Sequence, residues 1–197
     1  MSLTRISNQS LSAVTTLPSA IPVGKLTLIS THTASDDASI SITSGIDSTY
    51  DSYVFKFIDI HPETNDVEFR FQTSTDSGSN YGVTATTTYF VAYHNEAGND
   101  TALQYEASRD LAQSTSFQPI NDRIGNENDE LMAGELHLFL PSSDTFVKHY
   151  LSKTNAYQSV DYNKNAFSGG YFNTTSVIDA IQFKMSSGNM NGTIKMY

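Results

Sequence analysis

Alternation of apolar and polar residues in the stretch 52–74 constrains the fold of this chain more than any other sequence feature. Val67, Phe69 and Phe71 alternate there with charged or polar residues. A period of two is typical of a β-strand with one face against a core and the other in water. The chain must therefore provide an apolar layer for this strand to pack against.

The first half of the same stretch carries apolar residues at both alternating positions. Tyr53, Phe55 and Phe57 occupy one set of alternating positions, while Val54, Ile58 and Ile60 also populate the second face, which predicts a strand buried on both faces. Residues 62–66, Pro-Glu-Thr-Asn-Asp, have the composition of a turn. Together these features predict an aromatic hairpin at the centre of a sheet.

Short strand patterns recur along the chain, separated by turns rich in Gly, Ser and Asp. They cover residues 25–31, 38–43, 86–94, 101–108, 114–120, 131–140, 146–153, 156–162, 166–173, 177–186 and 193–197. No segment of adequate length has a helical period, so residues 23–197 are predicted to form one all-β domain, an antiparallel, jelly-roll-like β-sandwich. The predicted core residues are Phe55, Phe57, Val67, Phe69, Phe71, Phe90, Leu138, Ile181 and Phe183.

Residues 1–22 differ from this pattern and are predicted to form an extended N-terminal arm. Pro18 and Pro22 would interrupt a β-ladder. Composition alone is also consistent with a disordered tail, but the apolar residues are frequent enough to favour an assembly arm that orders on a neighbouring subunit. These residues are Leu3, Ile6, Leu11, Val14, Leu17 and Ile21.

Composition limits the classes of function. The chain of 197 residues has no cysteine, so disulfides and thiolate metal sites are excluded. It has 21 acidic and 11 basic residues and a formal net charge of -10, which disfavours binding to nucleic acid because phosphates repel it. No apolar run approaches the roughly 20 residues of a membrane span, and the amino terminus lacks the apolar segment of a signal peptide.

Residue patterns for catalysis and metal binding are weak. His137 and His149 fall on neighbouring predicted strands, but a zinc site needs further ligands at suitable spacing. The acidic loops at 36–37, 96–100 and 127–130 offer oxygen ligands for calcium without matching an EF-hand. Since no phosphate-binding or serine-hydrolase motif occurs either, neither a cofactor, a metal nor a catalytic residue is predicted. Glycan hydrolysis is a minor alternative, because it needs two facing carboxylates. Three glutamates could supply them: Glu68, Glu106 and Glu135.

Tyrosines provide the candidate surface contacts. Those in or beside predicted loops are Tyr81, Tyr157, Tyr162 and Tyr171. Exposed tyrosine rings pack at protein interfaces and stack on sugar rings. In a chain without tryptophan, the same residues could instead supply core volume, so structural, interface and glycan-binding roles all remain open.

Two segments together resemble a group of tailed-bacteriophage virion proteins described as structural or tail-fibre proteins. One is 50–62 (YDSYVFKFIDIHP) followed by 67–78 (VEFRFQTSTDSG), and the other is 177–197 (VIDAIQFKMSSGNMNGTIKMY). The likeness covers residues 25–197, and its motifs specify strands and turns. The opening Leu-Thr-Arg-Ile-Ser at 3–7 is also similar to phage fibre and decoration proteins.

The resemblance implies a virion component with a jelly-roll-like domain, assembled in the host cytoplasm. We therefore expect a non-enzymatic structural protein, either a capsid decoration, a tail adaptor or a fibre component. Its expected partners are other virion proteins and copies of itself, for example in a trimer, without nucleic acid or membrane. The alternative is a receptor-binding module for a host-surface glycan, and a virion-associated glycan hydrolase is a weaker one.

Overall fold

The computed structural model describes residues 26–197, which form twelve β-strands and one 3₁₀ turn at Ala107–Arg109. The strands are β1 (Ser30–Asp37), β2 (Ile40–Ile42), β3 (Ser52–Pro62), β4 (Val67–Ser74), β5 (Ala85–Asn95), β6 (Thr101–Tyr105), β7 (Gln118–Ile124), β8 (Met132–Phe139), β9 (Lys148–Gln158), β10 (Tyr162–Phe172), β11 (Ala180–Met185) and β12 (Met190–Met196). The predicted all-β, antiparallel sandwich is confirmed. The predicted arm, residues 1–22, lies outside the described residues and stays a prediction.

The strands form two packed layers. The long layer has the order β6-β5-β10-β9-β8-β3-β12-β1, and the short layer has the order β7-β4-β11-β2. The layers join where β9 continues past the start of β8, because Gln158 of β9 pairs there with Ile124 of β7. At the opposite side the chain passes directly from β1 in the long layer to β2 in the short layer. The sandwich is therefore nearly closed on both sides.

Aromatic rings from both layers fill the space between them. Phe55 and Phe57 of β3 meet Phe183 of β11 at centroid distances of 5.6 and 5.2 Å, and Phe57 meets Phe69 of β4 at 5.3 Å. Eight of the nine predicted core residues are buried, and the prediction is wrong for Phe90, which is 42% exposed. Its neighbour Tyr89 is buried instead. Adjacent residues of a strand point to opposite faces, so only one of these two aromatic residues could enter the core.

Strands β3 and β4 do not form the predicted hairpin. β3 pairs with β12 and β8 in the long layer, whereas β4 pairs with β11 and β7 in the short layer. The turn at 63–66 carries the chain from one layer to the other, so the aromatic faces of the two strands oppose each other across the core. Because the two faces oppose each other, each set of rings buries the other. If the strands were paired side by side in one sheet, a further element would be needed to cover both sets of rings. The predicted strand segments 131–140 and 146–153 do form a hairpin, β8 with β9.

A bulge in β3 changes which residues face the core. The register with β8 shifts between Phe57 and Ile60, and Asp59 has a positive φ of 52°. Ile60 thereby returns to the core face and is fully buried, while Ile58 is exposed. A close approach at Gly192 accompanies the bulge, since a Cβ there would lie 2.5 Å from the carbonyl oxygen of Asp59. The expectation that β3 is buried on both faces is therefore wrong for most of its length.

The loop between β4 and β5 is organised around one carboxylate. Asp76 accepts hydrogen bonds from the Ser74 hydroxyl at 2.6 Å and from the backbone and side-chain amides of Asn80 at 2.9 and 2.7 Å. These bonds favour the ionised form and lower the pKa of Asp76 to about 2.

We expect the Asp76 carboxyl to titrate with a midpoint near 2 in the folded protein, measured by NMR. Because this pKa lies below the ordinary value of 3.8, the stabilising contribution is complete above pH 4 and is lost as the pH falls towards 2. Ser74→Ala removes the strongest donor and should raise the midpoint towards 3.8. Ser116→Ala, at a serine hydroxyl outside this loop, should leave it unchanged.

Candidate functional site

Two surface openings lie on opposite faces of the long layer. The first, which we call the polar cleft, has a volume of about 530 Å³ and faces the inside of the sandwich, beside β7. The strands β5, β6 and β10 supply one wall, and β7 with the 3₁₀ turn supplies the other. Its lining includes Tyr93, Glu106, Arg109, Asp122, Tyr162 and Lys164.

Asp122 is the centre of the charge network in the polar cleft. Its side chain is 3% exposed, and one carboxylate oxygen lies 2.6 Å from Lys164 Nζ and accepts a hydrogen bond from the Tyr89 hydroxyl at 3.2 Å. The other oxygen accepts from Arg109 Nη2 at 3.1 Å. Burial and the Asp122 carboxylate raise the pKa of Tyr89 well above its ordinary value, so this phenol remains a neutral donor.

Two glutamates extend the network. Glu106 lies 3.2 Å from Lys164 Nζ, and Glu68 lies 2.6 Å from Arg109 Nη1 and also pairs with Arg70. Burial lowers the pKa of the Arg109 guanidinium, but Asp122 and Glu68 outweigh it, and the net pKa is raised. Every carboxylate of this network is thus held in an ion pair with a fixed cation.

Of the three glutamates considered for hydrolysis, Glu106 and Glu68 share the network of the polar cleft, whereas Glu135 lies apart from it. Glu106 lines the polar cleft, and Glu68 lies behind Arg109. Glu135 is on the outer face of the long layer, 3.2 Å from His137 Nε2. Glu135 and Glu106 therefore cannot act on a substrate from two sides of one cleft.

The second opening, which we call the outer groove, has a volume of about 420 Å³ and crosses β5, β10, β9 and β8 on the outer face of the long layer. Its floor consists of Phe90, Phe139, Leu151 and Phe167, and its border of His137, Lys153 and Glu135. These side chains belong to one face because residues directly opposite on neighbouring strands point the same way.

Register explains how the outer groove is built. Phe90, Phe167, Lys153 and Glu135 lie in one row across the four strands. Phe90 and Phe167 stack with centroids 4.9 Å apart and an interplanar angle of 8°, and Lys153 Nζ lies 5.9 Å from the Phe167 centroid. In the next row Gly169 leaves space beside Leu151, since a Cβ there would lie 2.9 Å from Leu151 Cδ2.

The four predicted tyrosines occupy separate places. Tyr162 lines the polar cleft, and its hydroxyl donates to Asp100 at 2.7 Å. Tyr157 lies near the β9–β10 turn, where partial desolvation and nearby carboxylates raise its pKa to about 12. Tyr171 is on the outer face of the long layer with its ring centroid 6.1 Å from that of His149, and Tyr81 lies in the loop between β4 and β5. Their predicted role in surface or glycan contact stays a prediction.

Sequence reasoning missed most residues of both openings. The alternation in β5 could have identified Phe90 as outward-facing, had Tyr89 been assigned to the core. No local pattern indicated Asp122 or Lys164. These two residues lie on different strands, far apart in the sequence, and meet only in the folded sandwich. Within residues 26–197, no group of three or more His, Asp or Glu side chains is arranged to hold a metal ion.

No protein-family model, curated protein or solved structure matches this chain. Among the described residues, none of the helical segments has the length and apolar character of a membrane span. The polar cleft and the outer groove are candidate functional sites of the described residues.

Proposed function

We propose that this chain is a non-enzymatic bacteriophage virion structural protein that acts through subunit contacts, with the outer groove as the principal contact surface. The resemblance of residues 25–197 to tailed-phage virion proteins supports the virion assignment. The outer groove supports the mode of action, because it presents contiguous aromatic and aliphatic side chains on rigid β-strands. Contiguous apolar surface of this kind marks interaction sites on soluble proteins.

A second copy of the chain is the proposed occupant of the outer groove. Lys153 and Glu135 are directly opposite each other on β9 and β8, next to the apolar floor. In a two-fold symmetric dimer, the same surface of both copies forms the interface, and a two-fold rotation relates the copies. Lys153 of one copy can therefore face Glu135 of the other. The groove is therefore complementary to itself in charge as well as in apolar character.

Leu151→Lys should weaken self-association at least about tenfold. The Leu151 side chain is 60% exposed, and burying a leucine side chain at an interface contributes roughly 1.5–3 kcal/mol, which corresponds to tenfold or more in Kd. Sedimentation equilibrium over a range of protein concentrations gives the Kd of the wild type and the variant.

Phe146→Lys is the matched control, because Phe146 is 66% exposed in the β8–β9 loop, outside the outer groove. This variant should associate like the wild type. A wild-type chain that stays monomeric at all concentrations would exclude the two-copy contact. If such a chain is nevertheless incorporated into particles, its contacts there are with other virion proteins.

The virion assignment has its own test. Mass spectrometry of purified particles should detect this chain, and antibody labelling should locate it on the head, at the tail adaptor or on a fibre. Detection of the chain in infected cells but not in purified particles would contradict the proposal.

A further inference from the structure

We propose that the polar cleft binds a neutral, hydroxyl-rich ligand, a carbohydrate. This binding site goes beyond subunit contact and is independent of the outer groove, since the two openings are on opposite faces of the long layer. The first argument is charge balance. Charged side chains lining the cleft are three cations and three carboxylates: Arg109, Arg123, Lys164, Asp100, Glu106 and Asp122.

Balanced charge selects against ions. A phosphate or a metal cation would meet as many repulsive as attractive groups in this cleft. A hydroxyl group both donates and accepts hydrogen bonds, so it can bridge a carboxylate and a neighbouring cation. Ligands with many adjacent hydroxyls therefore match the alternation of donors and acceptors in the lining, which also includes the amides of Gln104 and Gln158.

The lining is fixed before a ligand arrives. Lys164 and Asp122 have side chains that are 5% and 3% exposed, and they hold each other at 2.6 Å. Lys164 is also anchored by Glu106, and Arg109 by Glu68. Groups held in this way lose little conformational freedom when a ligand binds, which lowers the entropic cost of association.

An aromatic wall completes the cleft. The rings of Tyr93 and Tyr162 lie 5.6 Å apart at an interplanar angle of 67°, and both line the opening. The bond from the Tyr162 hydroxyl to Asp100 fixes the orientation of that ring. Tyrosine offers an apolar ring face beside a polar hydroxyl, which suits the mixed C–H and hydroxyl surface of a sugar. The volume of about 530 Å³ is within the range of small-ligand pockets.

The test uses the full chain and a panel of neutral oligosaccharides built from hexoses and N-acetylhexosamines, with inorganic phosphate and Ca²⁺ as competing ligand classes. Binding is followed by NMR and calorimetry. Gln104→Ala and Tyr162→Ala should each raise the Kd for a bound oligosaccharide at least about tenfold, because each removes a hydrogen bond or a ring contact. Gln104 is an exposed side chain, so its removal tests the site without altering the core.

Leu103→Ala is the matched control. Leu103 precedes Gln104 on β6, is 75% exposed and pairs with Ala92, which is on the same face of β5 as Phe90, so its side chain is on the outer face. This variant should bind the oligosaccharide like the wild type.

The proposal is overturned if no panel member binds at millimolar concentration, if phosphate or Ca²⁺ binds in preference, or if binding survives both cleft variants. Release of new reducing ends from a bound oligosaccharide would support the site and contradict the non-enzymatic function proposed above. If no sugar binds, the proposed self-association through the outer groove still stands, because that surface is tested separately by sedimentation equilibrium.

Discussion

Phe183→Ala should lower the free energy of unfolding by roughly 3–5 kcal/mol, the cost of truncating a fully buried aromatic side chain. Phe183 packs against aromatic rings of both layers. Its ring lies 5.6 and 5.2 Å from Phe55 and Phe57 of β3, and 5.9 and 6.2 Å from Phe69 and Phe71 of β4. A total stability of about 5–15 kcal/mol is typical of a domain, so this loss would be a large share. Urea unfolding monitored by tyrosine fluorescence measures it.

Phe90→Ala is the matched control, since it makes the same chemical change on the outer face. Phe90 is 42% exposed and stacks on Phe167, so its truncation should cost about 1 kcal/mol. Equal losses for the two variants would mean that β5 or β11 has the wrong face towards the core.

Asp122→Asn should lower the free energy of unfolding by roughly 3 kcal/mol. The substitution keeps the shape of the side chain but removes the buried charge that Lys164 and Arg109 share. Removing one partner of a buried ion pair typically costs 3–5 kcal/mol, because the other charge is left without compensation. The lower end applies here, since Lys164 keeps Glu106 and Arg109 keeps Glu68.

The control for this variant is Asp66→Asn, which neutralises the same residue type in a surface pair. Asp66 lies 3.0 Å from Arg123 Nε, with both side chains about half exposed. Exposed pairs of this kind contribute about 0–1 kcal/mol. Thermal and urea unfolding of both variants at neutral pH compare the two sites. Indistinguishable stabilities for the two variants would show that water reaches the Asp122 network and screens it.

Local alternation was enough to predict most of the strands and their buried faces. It was wrong for β1, which lies mostly between the predicted segments 25–31 and 38–43, and for the predicted segment 156–162, which is the end of β9 and the turn after it. The inward positions of β3 and β4, Phe55 with Phe57 and Phe69 with Phe71, follow directly from a period of two. The β8–β9 hairpin was predictable too, because a short polar connection joins two regular strands. These features depend on neighbouring residues only.

Strand partners and both openings depended on contacts between distant segments. Every residue except proline offers the same backbone donor and acceptor, so the sequence of β3 does not specify whether β4 or β12 lies beside it. The bulge at Asp59 reverses the alternation locally and buries Ile60. The network around Asp122 joins residues from β4, β7, β10 and the 3₁₀ turn.

The sequence by itself determined an all-β chain with an aromatic core, because side-chain alternation acts within one strand. Tertiary structure decided which aromatic faces meet, which of Tyr89 and Phe90 is buried, and where buried charges compensate each other. The physical reason is that packing and ion pairing act between surfaces, and a surface exists only once strands far apart in the chain have been brought together.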